Sequence, residues 1–275
     1  MRPFHHPISA IFIALPILFT STAIAQSKTC GNSAAGFEVW VEDFKGAAAS
    51  RGISRKTANT ALSGLRYDKR VIRLDRNQKK TFNKSFKSFA STRVTSAAIK
   101  RGKSKMRTHA KTFAAVEKRY GVPAPVIAAI WGLETNYGGF SGNMSVFRSL
   151  ATLAYDCRRA DFFRNELLAA LHIVDRGDMT PKSMVGAWAG EIGQTQFLAT
   201  SYVKYAVDFD GNGRRDLVRS VPDVLGSTGN YLRAFGWKRG GSWQAGSRNF
   251  AVLKKWNKSD NYQRTIALMA DKLAN

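Results

Sequence analysis

The chain of 275 residues is poor in cysteine, histidine and acids, and it holds a single long apolar run. Two cysteines, Cys30 and Cys157, and four histidines, His5, His6, His109 and His172, argue against a cysteine or histidine zinc site, which needs more ligands than these positions supply. Acids number 19 against 43 lysines and arginines, giving a formal net charge of +24. That balance disfavours a cationic partner and points to an anionic one: nucleic acid, anionic lipid, or a cell-wall polymer bearing carboxylates. The apolar run from Ile8 to Phe19 contains Pro16 and falls short of the roughly 20 residues that cross a bilayer. No later stretch competes with it, no repeat or low-complexity segment is visible, and strand signals are few and short.

The N-terminus does carry a recognisable order. A cationic start (Arg2, His5, His6), the apolar run and the small-residue ending Ala23-Ile24-Ala25 read as a secretory signal peptide over residues 1–25, with a retained anchor as the alternative. Ser27-Lys28-Thr29 lacks the apolar and small residues expected before a lipidated cysteine, so Cys30 is not read as a lipid site. Export to an oxidising compartment permits Cys30 and Cys157 to pair, although their geometry is invisible in sequence and the free state stays open. About 250 residues remain, enough for one large domain or two small ones. With 44% hydrophobic residues the chain is a folded protein.

Punctuation along the chain is that of helices. Ser54 caps a helix through Leu62 closed by Gly64; a second runs from about Lys84 to Lys100, ending before Arg101-Gly102. A third, Lys105 to Tyr120, spaces Phe113, Val116 and Tyr120 at helical intervals and stops at Gly121. Pro123 and Pro125 open a helix over Val126 to Asn136, which the Gly138-Gly139 pair ends. Further helices are expected over Phe147–Asp156, Asp161–Val174, Thr200–Val207, Pro222–Phe235 and, behind Ser259, Asp260–Leu273. Between Arg51 and Arg119 the only acids are Asp68, Asp75 and Glu117, which marks a solvated cationic face or a docking surface for an anionic polymer.

One acid stands out. Ile127, Ile130, Trp131 and Glu134 fall at i, i+3, i+4 and i+7, so the carboxyl shares a helix face with three large apolar side chains. A carboxyl against indole and aliphatic carbon is poorly hydrated, which raises its pKa and suits it to general acid chemistry near neutrality. The alternative is a glutamate that caps or pairs within the fold. Gly138, Gly139 and Gly142 beyond it would let a bulky substrate approach the bare backbone.

These strings carry a resemblance. Tyr120-Gly121-Val122-Pro123, the run Ile130 to Gly138 around Glu134, Leu150 to Ala154, Arg158-Arg159, Phe162-Phe163 and Trp188-Ala189-Gly190 are similar to the membrane-bound lytic transglycosylase B family of murein-cleaving enzymes. So are Gly193, Gln196-Phe197, Ala206 to Gly211, Asn230-Tyr231, Gly236-Trp237 and Trp256-Asn257 with Ser259. The resemblance implies a mainly α fold: a lysozyme-like core over 119–240, a basic helical N-terminal subdomain over 26–118, few short strands, and a segment 241–275 packing back on that subdomain. It implies Glu134 as the single catalytic residue and Gln196, Asn230, Tyr231, Tyr137, Phe162 and Trp188 as substrate-binding residues. Ala187, Glu191 and Ala199 depart from the family's pattern, which puts subsite detail in doubt.

The implied reaction is cleavage of the β-1,4 bond between N-acetylmuramic acid and N-acetylglucosamine, with the muramic 6-hydroxyl closing a 1,6-anhydro ring. No cofactor would be required. Asp208, Asp210, Asn212 and Gly213 occupy positions one, three, five and six of a calcium-type loop, with Arg214 at the carbonyl position; Arg219 stands where a glutamate belongs, and the resemblance places Asp223 as the closing acid. A structural calcium is one reading; an Asn212-Gly213 turn joining short strands is the other. Expected partners are peptidoglycan glycan strands met by a periplasmic monomer, with no nucleic acid and no integral membrane segment once the signal is cleaved. Three alternatives remain: a hydrolytic muramidase with Asp156 or Glu191 as second carboxylate, a non-catalytic peptidoglycan-binding protein, and a basic nucleic-acid binder suggested by charge alone.

Overall fold

The computed structural model describes residues 30–77 and 85–275; the expected signal peptide lies outside them. Among the described residues thirteen α-helices, one 3₁₀ turn (Pro181–Ser183) and one two-stranded ladder form, and none of the helices is long and apolar enough to cross a membrane. The N-terminal helices are α1 (Phe37–Ala49), α2 (Arg55–Leu62), α3 (Lys69–Asn77), α4 (Phe86–Ser91), α5 (Ser96–Thr108) and α6 (Ala110–Tyr120). Then come α7 (Ala124–Thr135), α8 (Val146–Tyr155), α9 (Ala160–Asp175), α10 (Ala199–Tyr205), α11 (Val221–Ala234), α12 (Arg248–Trp256) and α13 (Asp260–Ala274). Strand β1 (Met144–Ser145) pairs antiparallel with β2 (Val185–Gly186), and bridges Gly186 to Ile192 and Ile192 to Phe197 extend the turn structure.

Side-chain caps set several starts. Ser54 accepts from the Thr57 amide at 3.1 Å, and Gly64 takes a left-handed φ of 71° just beyond α2. Of the run expected from Lys84 to Lys100, Lys84 lies outside the described residues and the rest falls into two helices, because Ser85 and Thr95 each cap a separate start. The second does not stop at Arg101-Gly102. It continues through Gly102, whose missing side chain is required: a Cβ there would lie 2.2 Å from the Tyr137 hydroxyl. The expected Lys105–Tyr120 helix is likewise divided, at His109 with φ −110° and ψ 27°. Helices α1, α3 and α12 had no sequence expectation; α1 buries Phe37, Trp40, Val41, Phe44 and Ala48, an i, i+3, i+4, i+7, i+11 pattern.

Helix α7 is the axis of the molecule. Val126 to Trp131 are all fully buried, so α7 is apolar all round and has no amphipathic stripe. Helices α5, α6, α11 and α13 pack on it, while α8 and α9 pair beside it and α10 leans on α9. Because α13 also meets α4 and α5, the C-terminal segment touches the helix bearing Glu134 as well as the basic N-terminal helices. Cys30 and Cys157 form a disulfide across 127 residues of sequence, with Cα atoms 5.0 Å apart. A loop that long restricts the unfolded chain, an effect on the order of 4–5 kcal/mol in the chain-entropy picture.

Candidate functional site

Glu134 stands in the last turn of α7. Three consecutive left-handed residues, Asn136 (φ 54°), Tyr137 (φ 62°) and Gly138 (φ 79°), end the helix immediately after it. Gly138 is required there twice over, since a Cβ would also meet the Gln194 amide oxygen at 2.3 Å. Thr135 fixes this corner: its hydroxyl donates to the Gln194 carbonyl at 2.6 Å and accepts from the Gly138 amide at 2.9 Å. Gln194 in turn accepts from the Trp131 indole at 2.9 Å and donates to the Val218 carbonyl at 2.9 Å. The end of α7 is therefore tied to the 193–197 turn by buried hydrogen bonds, which hold the acid in place.

Glu134 is enclosed by protein on most sides yet keeps a solvent opening: its side chain is half-buried at the surface and surrounded beneath. Burial pushes its pKa from 4.5 up to about 7. Donation from Trp256, and the nearby Tyr262 hydroxyl, pull it down, while the charge of Glu191 pushes it up. The Trp256 Nε1–H donates to Glu134 Oε1 at 2.9 Å. Tyr262 is held neutral, its pKa raised by burial and by Glu134; its buried hydroxyl faces the carboxyl without a hydrogen bond of good geometry. The end of a helix, where carbonyls point outward, disfavours negative charge in the same sense as burial. The indole against this carboxyl is thus Trp256, not Trp131, whose N–H turns to Gln194.

An aromatic group supports Trp256. Tyr231 meets it edge-on at 5.0 Å and Phe197 at 5.5 Å, and the Tyr231 hydroxyl donates to the Lys255 carbonyl at 2.7 Å. Asn230 donates to the Tyr205 carbonyl at 2.9 Å. Gln196, at φ 52°, donates to the Ser141 and Gly193 carbonyls, joining the glycine-rich loop to the 193–197 turn. Tyr137 is buried, its hydroxyl donating to the Ala98 carbonyl on α5, so it presents almost no surface to a ligand. Phe162 is exposed at the start of α9, edge-on to buried Phe163, and Trp188 is half-buried. Among these residues the structure gathers Tyr231 and, through the turn, Gln196 around the Glu134 corner; Phe162 and Trp188 have no contact with it in the hydrogen bonds and ring pairs described.

The two further carboxylates separate clearly. Asp156 is buried in an ion cluster, bound by Arg76 Nη2 at 2.7 and 3.0 Å, which removes it as a partner of Glu134. Glu191 acts on Glu134 through its charge, and its own Oε2 accepts from the Ala189 amide at 3.1 Å. Burial raises the Glu191 pKa; its backbone contacts and Arg159 oppose this, and Glu166 adds to it.

In the 208–223 loop, carboxylate oxygens of Asp208, Asp210 and Asp223 lie within 4.8 Å of one another. No strand flanks Asn212-Gly213, which corrects the hairpin reading. Asn212 Oδ1 accepts from the Arg214 amide, and Asp208 accepts from the amides of Gly211, Asn212 and Gly213. Asp223 is fully buried at the start of α11, and burial raises its pKa.

Sequence reasoning missed Trp256 and Tyr262 as neighbours of the acid, and Thr135 and Gln194 as its supports. Trp256 lay within the family-like string near the C-terminus, and that was the one available signal.

The chain is similar to known proteins in sequence and in fold. Residues 36–247 match the model of the transglycosylase SLT domain. The chain is 40% identical over 122 residues to the membrane-bound lytic murein transglycosylase B of Escherichia coli strain K12; this covers 44% of the chain but only 34% of that relative, so the aligned part spans about a third of its length. SltB3 of Pseudomonas aeruginosa, solved in complexes with NAG-NAM-pentapeptide and NAG-anhNAM-pentapeptide, superposes with a TM-score of 0.83 at 33% identity, covering 89% of this chain and 80% of that one. Slt35 of Escherichia coli in complex with calcium shares the fold, with a TM-score of 0.76 at 24% identity over 85% of this chain and 92% of that one.

Proposed function

The chain belongs to the transglycosylase SLT domain family, and on that premise we propose that it is a lytic transglycosylase acting on peptidoglycan. It cleaves the β-1,4 bond between N-acetylmuramic acid and N-acetylglucosamine and leaves 1,6-anhydromuramic ends. The observation that carries this reading is the state of Glu134: a carboxyl poised near pH 7 whose neighbours are an indole N–H and a phenol, with no lysine or arginine paired to it among the described residues.

Such a group is protonated often enough to act as an acid and acidic enough to be restored. With Trp256 donating to Oε1, the proton would ride on Oε2 and be delivered from there to the glycosidic oxygen. As the bond breaks and oxocarbenium character develops, the proton passes to the leaving sugar and Trp256 stabilises the new carboxylate. That carboxylate then takes the proton of the muramic 6-hydroxyl, whose oxygen attacks the anomeric carbon. Proximity makes a second carboxylate unnecessary. Tyr231 and Phe197 keep the Trp256 indole aimed, while Gln196, Asn230, Phe162 and Trp188 are assigned to the sugar-binding surface, Tyr137 acting through packing.

Glu191 favours one second reading. Its charge reaches Glu134, so it is the acid available to activate water, and a hydrolytic muramidase is the alternative outcome. Mass spectrometry of digested sacculi separates the two. Anhydro-muropeptides support the transglycosylase; reducing-end muropeptides overturn it in favour of hydrolysis.

Asp208, Asp210 and Asp223 fit a hard cation, because three carboxylates converge and the buried one, held by the Phe209 and Asp216 amides, has no ion-pair partner among the described residues. They would hold a calcium ion that clips the loop to α11, with Asn212 and Arg214 shaping the turn; the ion would take no part in the chemistry. Export of the chain to the periplasm, followed by work as a monomer on the cell wall, completes the proposal.

A further inference from the structure

A concavity lies away from Glu134. It measures about 630 Å³ and opens between α5 and the C-terminal end of α13, where Lys100, Lys103, Arg107 and Lys272 line it beside Val94, Ile99, Ser96 and Asn275. Lys100, Lys103 and Arg107 fall at i, i+3 and i+7, which places three cations on one face of α5. That helix contains no acid, and none of the four cations has a carboxylate within ion-pair distance among the described residues. Around Asp75 the chain pairs clustered arginines with a shared carboxylate, whereas these four cations line one cavity without such a partner among the described residues. Like charges gathered without a counterion repel one another, and an anion seated among them relieves this.

Position narrows the ligand. Tyr262, near one end of α13, faces Glu134, and Lys272 lies ten residues along the same helix, about 15 Å at 1.5 Å per residue. An extended peptide of five residues spans about 17 Å. The aliphatic side chains of Val94 and Ile99 suit the small apolar groups of such a peptide, and the four cations suit its carboxylates.

We propose that this cavity is an accessory site for the carboxylate end of a peptidoglycan stem peptide, so that the enzyme reads the peptide substituents of a strand apart from its glycan. The assignment rests on the peptidoglycan reading above, but its test does not use turnover. The probe is the free stem pentapeptide ending in D-Ala-D-Ala, titrated calorimetrically into the full chain, alongside the same peptide with an amidated C-terminus. The free acid is expected to bind at least tenfold more tightly than the amide, with affinity falling as salt rises. Lys100→Ser with Lys103→Glu should lower affinity at least tenfold, whereas Lys103→Arg, which keeps the charge, should preserve it; thermal melts of each variant establish that it is folded. Equal binding of acid and amide, or unchanged binding by the folded double variant, overturns the proposal. So does occupation of the cavity by inorganic phosphate, in a parallel titration, that the pentapeptide fails to displace. Failure of the transglycosylase reading would appear instead in the muropeptide products, which leave these titrations unaffected.

Discussion

Asp75 and Glu134 are both taken out of bulk water, and the chain gives them opposite fates. Asp75 is 1% exposed. Burial alone would raise its pKa, yet hydrogen bonds and charge from Arg158 and Arg159 outweigh that and hold it below the ordinary value. Arg76 adds a contact at 2.7 Å and bridges to Asp156, so α3 is pinned to the segment after α8. Glu134 meets an indole and a phenol, and with no cation beside it among the described residues burial prevails. What an enclosed acid does is therefore decided by its partners: guanidinium groups make a structural anchor, neutral donors make a proton carrier.

That contrast can be broken at several points. The largest effect is expected for Glu134→Gln, which keeps the shape and removes the titrating proton; release of soluble muropeptides should fall by about 10²–10⁴-fold, the range that general acid–base catalysis supplies, while sacculus binding persists. Retained lysis by this variant would place the catalytic acid elsewhere. Asp75→Asn should act on stability and not on chemistry. It leaves three arginines without their shared carboxylate, and a urea titration should show a loss of about 3 kcal/mol, typical of breaking a buried pair from one side.

The same Glu134→Gln variant should sharpen the comparison through its pH dependence. The folded value of about 7 lies above the unfolded 4.5, so the native state binds this proton more tightly. Native stability is thus eroded as pH rises from about 4.5 to about 7, and the deficit is complete above that. At pH 8 the variant should be more stable than the parent by about 2–3 kcal/mol, and at pH 4 the two should converge; a constant difference across that range would mean that the acid is not shifted. The smallest change is expected from Trp256→Phe. Losing the donated hydrogen bond should move the alkaline limb of the rate profile to higher pH and slow turnover several-fold, measured as kcat against pH.

How much of this was legible in the sequence depends on how local each feature is. Helices α2, α7, α8, α9, α10, α11 and α13 were readable within a residue or two, because caps, prolines and 3.6-residue spacing act over one turn. Glu134 stood out for the same reason: its apolar neighbours lie three, four and seven residues away. Trp256 and Tyr262 did not, since they reach the acid from more than 120 residues along the chain and nothing in their own surroundings marks the contact. The breaks at Ser85, Thr95 and His109 were hidden in a region whose lysines and serines suit a helix and a loop alike. Asp75 read as one of three stray acids in a basic run, and only the fold brings Arg158 and Arg159 to it. Glu191 was noticed as a departure from the family's pattern, yet its influence on Glu134 needed three dimensions.

The most direct test is to titrate the Glu134 carboxyl itself, by isotope-edited infrared difference spectroscopy of the parent chain against Glu134→Gln. A carboxyl band that persists at pH 6 and ionises with a midpoint near 7 is the predicted result. A midpoint near 4.5 would contradict the account, because an acid that ordinary cannot both give and retake a proton at neutral pH.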